Sequence, residues 1–256
     1  MKFFYYIYFK IFYFLLLKKI DITKIKKLKK KFFFLRNVPN EKHNFLYQSF
    51  FREKKILDKD ISVLKYSNYS VQILRFLKIY IELKKKIKFK SNLDLGCGVG
   101  YFQFICSYFS NRYLGIDYLV RNKYYNSESI KYLKAYQKIL NINCKNFKIT
   151  KNFKIKSNQK FDLITAFSAN FDGHYKNHRF NFVPWKFNEY EIFFKSIKKY
   201  LNKDGKFLFK FNHKWEYKKK FYINYKYKKY LMKNNLWHGD GIVANFKPTK
   251  ELKKFL

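Results

Sequence analysis

Residues 93–102 read LDLGCGVGYF. Glycines stand at positions 96, 98 and 100, directly after an apolar run that carries one carboxylate, Asp94. Glycine between a strand and a helix lets the backbone take positive φ and approach a ligand closely. The spacing sets this loop apart from two phosphate-binding loops. A dinucleotide fingerprint, GxGxxG, needs its third glycine where this chain has Tyr101. A P-loop needs Gly-Lys followed by Ser or Thr, which this loop lacks. On the loop alone, a tight turn with no ligand remains open.

A second carboxylate narrows the reading. Asp117 ends the next strand pattern, YLGID, 21 residues after Gly96. That distance is one helix plus one strand. In a doubly wound sheet it brings a carboxylate beside the glycine loop, where it can accept hydrogen bonds from ribose hydroxyls. Asp94 lies inside the first strand pattern, where burial without a partner is costly.

Working outward, short apolar runs alternate with helical patterns, as in a βα array with a parallel sheet. The runs are 92–95, 112–116, 146–150, 161–167 and 205–211. Helical patterns cover about 99–109, 127–140, 186–201 and 216–234. Upstream, two further helices are expected at about 44–59 and 71–86, broken at YSNYS. The segment LWHGDGIVANF reads as a hairpin or a single terminal strand around its Gly-Asp-Gly turn. The fold class is therefore α/β, a doubly wound, mostly parallel sheet with a helical N-terminal extension.

LDLGCGVGYF followed by YLGIDY resembles the class I S-adenosylmethionine-dependent methyltransferases, whose domain is Rossmann-like. KFDLITAF and IKKYLNKDGKFLFKFN resemble that family's fourth-strand segment and its approach to the fifth strand. FDLITAFSANFDGH and the EYEIFFKSI block after Trp185 are similar to a group of bacterial methyltransferases with poorly defined substrates. The resemblance covers about Asn92 to Asn212. It implies S-adenosylmethionine as cofactor, with Gly96, Cys97, Gly98 and Gly100 passing under its methionine and ribose portions. It implies that Asp94 fixes the amino group or the loop itself, that Asp117 holds the ribose hydroxyls, and that Phe167 lines the methyl donor. The chain departs from the family at Lys203-Asp204-Gly205, where proline and two glycines are usual. It also offers Lys151 and Asn152, with Phe153 near, where many members place an acid for the adenine amino group. Three regions follow: a basic aromatic extension (1–40), a helical lead-in (41–90) and the S-adenosylmethionine-binding domain (91–256).

Methyl transfer from a sulfonium is an in-line displacement, so the protein mainly aligns donor and acceptor. A hydroxyl or protonated amine acceptor also needs a base. SANFDGHYKNHRF, after the fourth strand, supplies the candidates: His174, with Asp172 to orient it, and His178. The same FDGH stretch also reads as a turn with a solvated histidine. Trp185 reads either as a wall of the acceptor pocket or as core. The [ND]PP[YFW] segment of many exocyclic base-amine methylases is absent, and no cysteine follows Cys144 to act as a cytosine nucleophile. A small-molecule or saccharide-type acceptor is expected. The alternatives are an RNA methyltransferase and a basic binding protein that keeps the fold without catalysis.

Composition bounds the partners. The formal net charge is +40 over 256 residues, but only six of the 57 basic residues are arginine. Lysine, asparagine, isoleucine, phenylalanine and tyrosine are abundant together, the pattern of coding biased to A and T. Nucleic-acid readers favour arginine forks, so charge alone does not lead us to expect nucleic acid. Three cysteines without a CxxC pair argue against a disulfide framework or a metal site and for a reducing cytoplasm.

Residues 3–17 are apolar or aromatic except Lys10, and residues 1–40 hold 11 basic residues against one acid. This is short of the ~20 apolar residues that span a bilayer. Two main readings stay open, peripheral contact with an anionic membrane surface or a helical lid packing its aromatics on the domain, with a spanning anchor as a weaker third.

Overall fold

The computed structural model describes residues 2–33, 69–109, 111–117, 127–155, 158–169, 173–175, 182–211 and 225–256. Three helices lead in: α1 (Lys2–Lys18), α2 (Ile22–Phe33) and α3 (Tyr69–Lys86). The alternating part follows as β1 (Ser91–Leu95), α4 (Tyr101–Tyr108), β2 (Arg112–Asp117), α5 (Ser127–Ile139), β3 (Cys144–Asn146) and β4 (Phe161–Ala169). A short ribbon of β5 (Gly173–Tyr175) and β6 (Phe182–Pro184) precedes α6 (Phe187–Lys198). The chain then runs through β7 (Leu201–Phe211), α7 (Tyr225–Lys233), β8 (Ile242–Ala244) and α8 (Lys250–Phe255).

The main sheet has the order β3-β2-β1-β4-β7-β8. All its pairs are parallel except β7 with β8. The chain winds outward from β1 through β2 to β3, then returns to the other side of β1 with β4. This is a doubly wound, Rossmann-like sheet, and its direction reverses between β1 and β4. Ligands bind such sheets in the crevice beyond the strand ends at that reversal. β1 is buried along its whole length, as a strand covered on both faces must be.

Two apolar cores flank the sheet. On one face, Leu93, Leu95, Ile116, Ile164 and Phe209 pack against Trp185, Tyr190 and Phe193 around α6, and against Tyr227 and Leu231 of α7. Rings dominate this core: Tyr190 stacks on Tyr227 at 4.2 Å, and Trp185 meets Phe193 at 5.2 Å. On the other face, Leu163, Leu208 and Ile242 meet side chains from α3, α4, α5 and α8.

α1 and the start of α2 also join this second core. Leu16, Ile20 and Ile25 are buried, and Phe9, Phe12, Tyr13 and Leu17 pack against it. Phe12 meets Phe109 edge-on at 5.1 Å, and the Tyr13 hydroxyl donates to the Ser70 carbonyl at 3.3 Å. The opposite side of α1 leaves Ile7, Ile11, Phe14 and Leu15 exposed.

Several boundaries differ from the sequence reading. The expected strand at 146–150 is Cys144–Asn146. It pairs with Gly115, Ile116 and Asp117, the last described residues of β2. β7 begins at Leu201 rather than 205, with a register jump where Phe161 pairs Leu201 and Leu163 pairs Lys206. The terminal segment is β8, with Trp237 bridging Val243 across the Gly-Asp-Gly turn. α8 was not anticipated; the Thr249 hydroxyl caps it, accepting from Leu252 N–H at 2.9 Å. The expected helix at 44–59 lies outside the described residues, as do 216–224 of the helix expected at 216–234.

Candidate functional site

The glycine loop leaves the carboxyl end of β1 at the sheet's reversal point. Gly96, Gly98 and Gly100 all have positive φ (72°, 56° and 87°). A side chain at Gly100 would be strained, and its Cβ would fall 1.8 Å from Ile142 Cδ1. The loop folds back onto β2. Gly96 and Cys97 N–H both donate to the Ile116 carbonyl at 2.7 and 3.0 Å, and Gly100 N–H donates to the Cys97 carbonyl at 2.9 Å. Gly98 N–H donates to Asp117 Oδ2 at 2.6 Å. Gln137 Nε2, on α5, donates to the Gly98 carbonyl at 2.6 Å.

This pattern has a chemical consequence. A pyrophosphate cradle needs loop amides pointing at the anion. Four of these amides point instead into the protein. The amides of Gly96, Cys97, Gly98 and Gly100 are thus already engaged within the protein.

Asp117 is buried at the end of β2, with its carboxylate on the loop. Asn146 is its register partner on β3 and places a side-chain amide position beside it. Nothing in the sequence singled out Asn146 or Gln137.

Asp94 lies beneath the loop, in a buried polar chain on the α4 side of the sheet. Thr165 Oγ1 donates to Asp94 Oδ1 at 2.7 Å, Gln103 Nε2 donates to Asp94 Oδ2, and Asn92 Nδ2 donates to Thr165 Oγ1 at 3.1 Å. Burial pushes the Asp94 carboxyl up to about 7, against the lowering effect of the Thr165 and Gln103 hydrogen bonds. Its place ties β1, β4 and α4 together under the loop. Among the described residues, Asn92 Oδ1 and Gln103 Oε1 are buried acceptors with no hydrogen-bond partner. Gln103 Oε1 faces the loop, 3.3 Å from where a Cβ on Gly100 would sit. A polar residue inside the apolar helix YFQFICSY was the readable signal for Gln103.

Cys97 Sγ lies 3.2 Å from Cys144 Sγ, both as free thiols. The hydrogen bond to Cys144, followed by burial, raises the Cys97 thiol well above its usual range. Gly115 makes this contact possible, because a Cβ there would come 2.8 Å from Cys97 Sγ. A cavity of about 400 Å³ opens beside Cys144 and Asn146, between α5 and β3, and Gln137 and Ile142 line it.

The remaining candidates are placed as follows. Phe167, near the end of β4, meets Phe102 at 5.0 Å and Phe76 at 5.6 Å. Phe153 is buried against Phe147 and Tyr200, and Lys151 pairs with Glu189 at 2.8 Å. Trp185 is buried in the α6 core. His174 sits in β5, opposite Val183 of β6, on the ribbon that follows β4. Asp172 and His178 lie outside the described residues. Among the described residues, no cluster of three His, Cys, Asp or Glu could hold a metal ion.

No protein-family model matches the chain, and no curated protein matches it. Solved structures are similar to it. One is a protein from Pyrococcus horikoshii OT3, at 17% identity and TM-score 0.36, covering 66% of this chain and 60% of its own. A second is an S-adenosylmethionine-dependent methyltransferase from Clostridium acetobutylicum ATCC 824, at 19% identity and TM-score 0.34, covering 66% and 56%. A third is a SAM-dependent methyltransferase from Thiobacillus denitrificans in complex with S-adenosyl-L-homocysteine, at 14% identity and TM-score 0.35, covering 53% and 46%. The matched part of this chain thus spans about half to three fifths of these structures' length.

Proposed function

We propose that the protein binds S-adenosylmethionine at the β1 loop and transfers its methyl group to a small-molecule or saccharide-type acceptor. The observation that carries this reading is the Asp117 carboxylate held 2.6 Å from Gly98 N–H, at the reversal point of the sheet. A carboxylate there accepts hydrogen bonds from ribose hydroxyls. The inward-facing loop amides favour a cofactor without a pyrophosphate. The resemblance of residues 92–212 to the class I methyltransferases points the same way.

Each residue takes a role. Asp117 holds the ribose. The loop at 96–100 passes beneath the cofactor, and Gln103 supports Asp94 from α4. Asn146 lies toward the base end. Asp94 keeps the loop in place from below. The cofactor supplies an activated methyl on a sulfonium. The protein aligns the acceptor with it and excludes water. His174 acts as the base that removes the acceptor proton, with Asp172 orienting it.

Calorimetry with S-adenosylmethionine tests the reading. The wild type binds, and Asp117→Ala weakens binding by at least about tenfold, the loss of a charge-assisted hydrogen bond. NADH serves as the comparison ligand. Absence of S-adenosylmethionine binding, or tighter binding of NADH, sinks the proposal.

A further inference from the structure

α1 carries apolar and aromatic residues around its circumference, interrupted by Lys10, and a helix of that kind normally buries most of its surface. Among the described residues the domain covers only one side. Phe9, Phe12, Tyr13 and Leu16 face the core, while Ile7, Ile11, Phe14 and Leu15 face outward at helical spacing. Phe14 is 57% exposed and Ile11 49% exposed, and Ile22 at the start of α2 is exposed as well. The packing on the domain that sequence reasoning set against surface binding therefore uses half of the helix. Among the described residues the other half is exposed.

The charges around the stripe say by what. Residues 2–33 contain ten lysines and one acid, Asp21. That acid is paired with Lys24 at 3.0 Å. Lys10, Lys18, Lys19, Lys26 and Lys27 are exposed, and Lys18 Nζ lies 4.7 Å from the centre of the Phe14 ring. An apolar stripe edged by cations matches an anionic interface, where rings and aliphatic chains enter the acyl boundary and ammonium groups meet phosphates. A second copy of this chain would set lysines against lysines. A nucleic acid would leave the isoleucines and the phenylalanine in water. No helix among the described residues is long and apolar enough to cross a membrane, so contact lies in the plane of the surface.

We propose that the outward face of α1 docks on an anionic lipid bilayer, with Ile7, Ile11, Phe14 and Leu15 inserted and the flanking lysines on the headgroups. This rests on α1 alone and stands apart from the cofactor reading.

Vesicle flotation of the full chain tests it, using phosphatidylcholine alone and an equal mixture with phosphatidylserine at physiological salt. The wild type floats with the mixed vesicles and less with phosphatidylcholine. Ile11→Glu/Phe14→Glu, at exposed positions, keeps the wild-type melting temperature and loses at least about tenfold in bound fraction. Lys18→Glu/Lys19→Glu leaves the apolar stripe intact and loses binding to the mixed vesicles only. Three results overturn the proposal. One is a wild type that does not float. Another is flotation unchanged in either variant. The last is a solution dimer that Ile11→Glu/Phe14→Glu dissolves while vesicle binding persists.

Discussion

Leu93 and Asp94 are neighbours on β1, and they look into two differently built halves of the molecule. Leu93 joins a core of rings and aliphatic chains under α6 and α7. Asp94 joins a chain of hydrogen bonds through Thr165, Asn92 and Gln103. The ring side holds the sheet by area and close packing, and neither term depends on pH. The polar side supports the glycine loop, and it does so with a carboxylate that resists ionisation. One face of β1 thus adds only apolar packing, while the other sets a polar chain under the loop inside an apolar core of its own.

Three substitutions probe that division. Phe193→Ala removes a buried ring that contacts Trp185, Phe153 and Phe209. Denaturant titration should show a loss of about 3–5 kcal/mol, equal at acid and neutral pH. A loss that varied with pH would erase the distinction between the faces. Asp94→Asn acts on the other side. The folded Asp94 carboxyl titrates near 7, above its unfolded value near 3.8, so the folded state binds the extra proton between them. Wild-type stability therefore falls as pH rises from about 4 to about 7 and is level above, a decline of at most ~4 kcal/mol. The asparagine variant should show a flatter profile and greater stability than the wild type at pH 8. Thr165→Val has the smallest effect, about 1–3 kcal/mol, because it strips a donor from Asp94 and an acceptor from Asn92. It also moves the wild-type decline to higher pH, which repeating the titration at several pH values would reveal.

The sequence made the architecture readable because its signals were local. Alternation marked β1, β2 and β4, and the glycines marked the turn at the point where the sheet reverses. What stayed hidden depended on neighbours far along the chain. The position of β3 follows its register with Gly115, Ile116 and Asp117, not the NFKIT pattern. Gln137 matters because α5 carries it to the Gly98 carbonyl, 39 residues away. The sequence placed Asp117 by counting one helix and one strand. For Asp94 it left two roles open, amino-group contact or loop support, and hydrogen bonds to Thr165 and Gln103 from two other elements place it under the loop. For α1, composition left a lid and a surface anchor as rivals. Only the packing shows that one side of the helix lies on the domain and the other is exposed.

The loop at 96–100 has the look of a surface turn, yet its amides are bonded to the end of β2. Its opening is thereby tied to the parting of β1 from β2, in the middle of the sheet. Amide hydrogen exchange at Gly96, Cys97 and Gly98 should follow the slow cooperative unit of the core rather than the fast fluctuations of a surface turn. A ligand arriving there meets a shape already formed, and the entropy of ordering it was surrendered once, during folding.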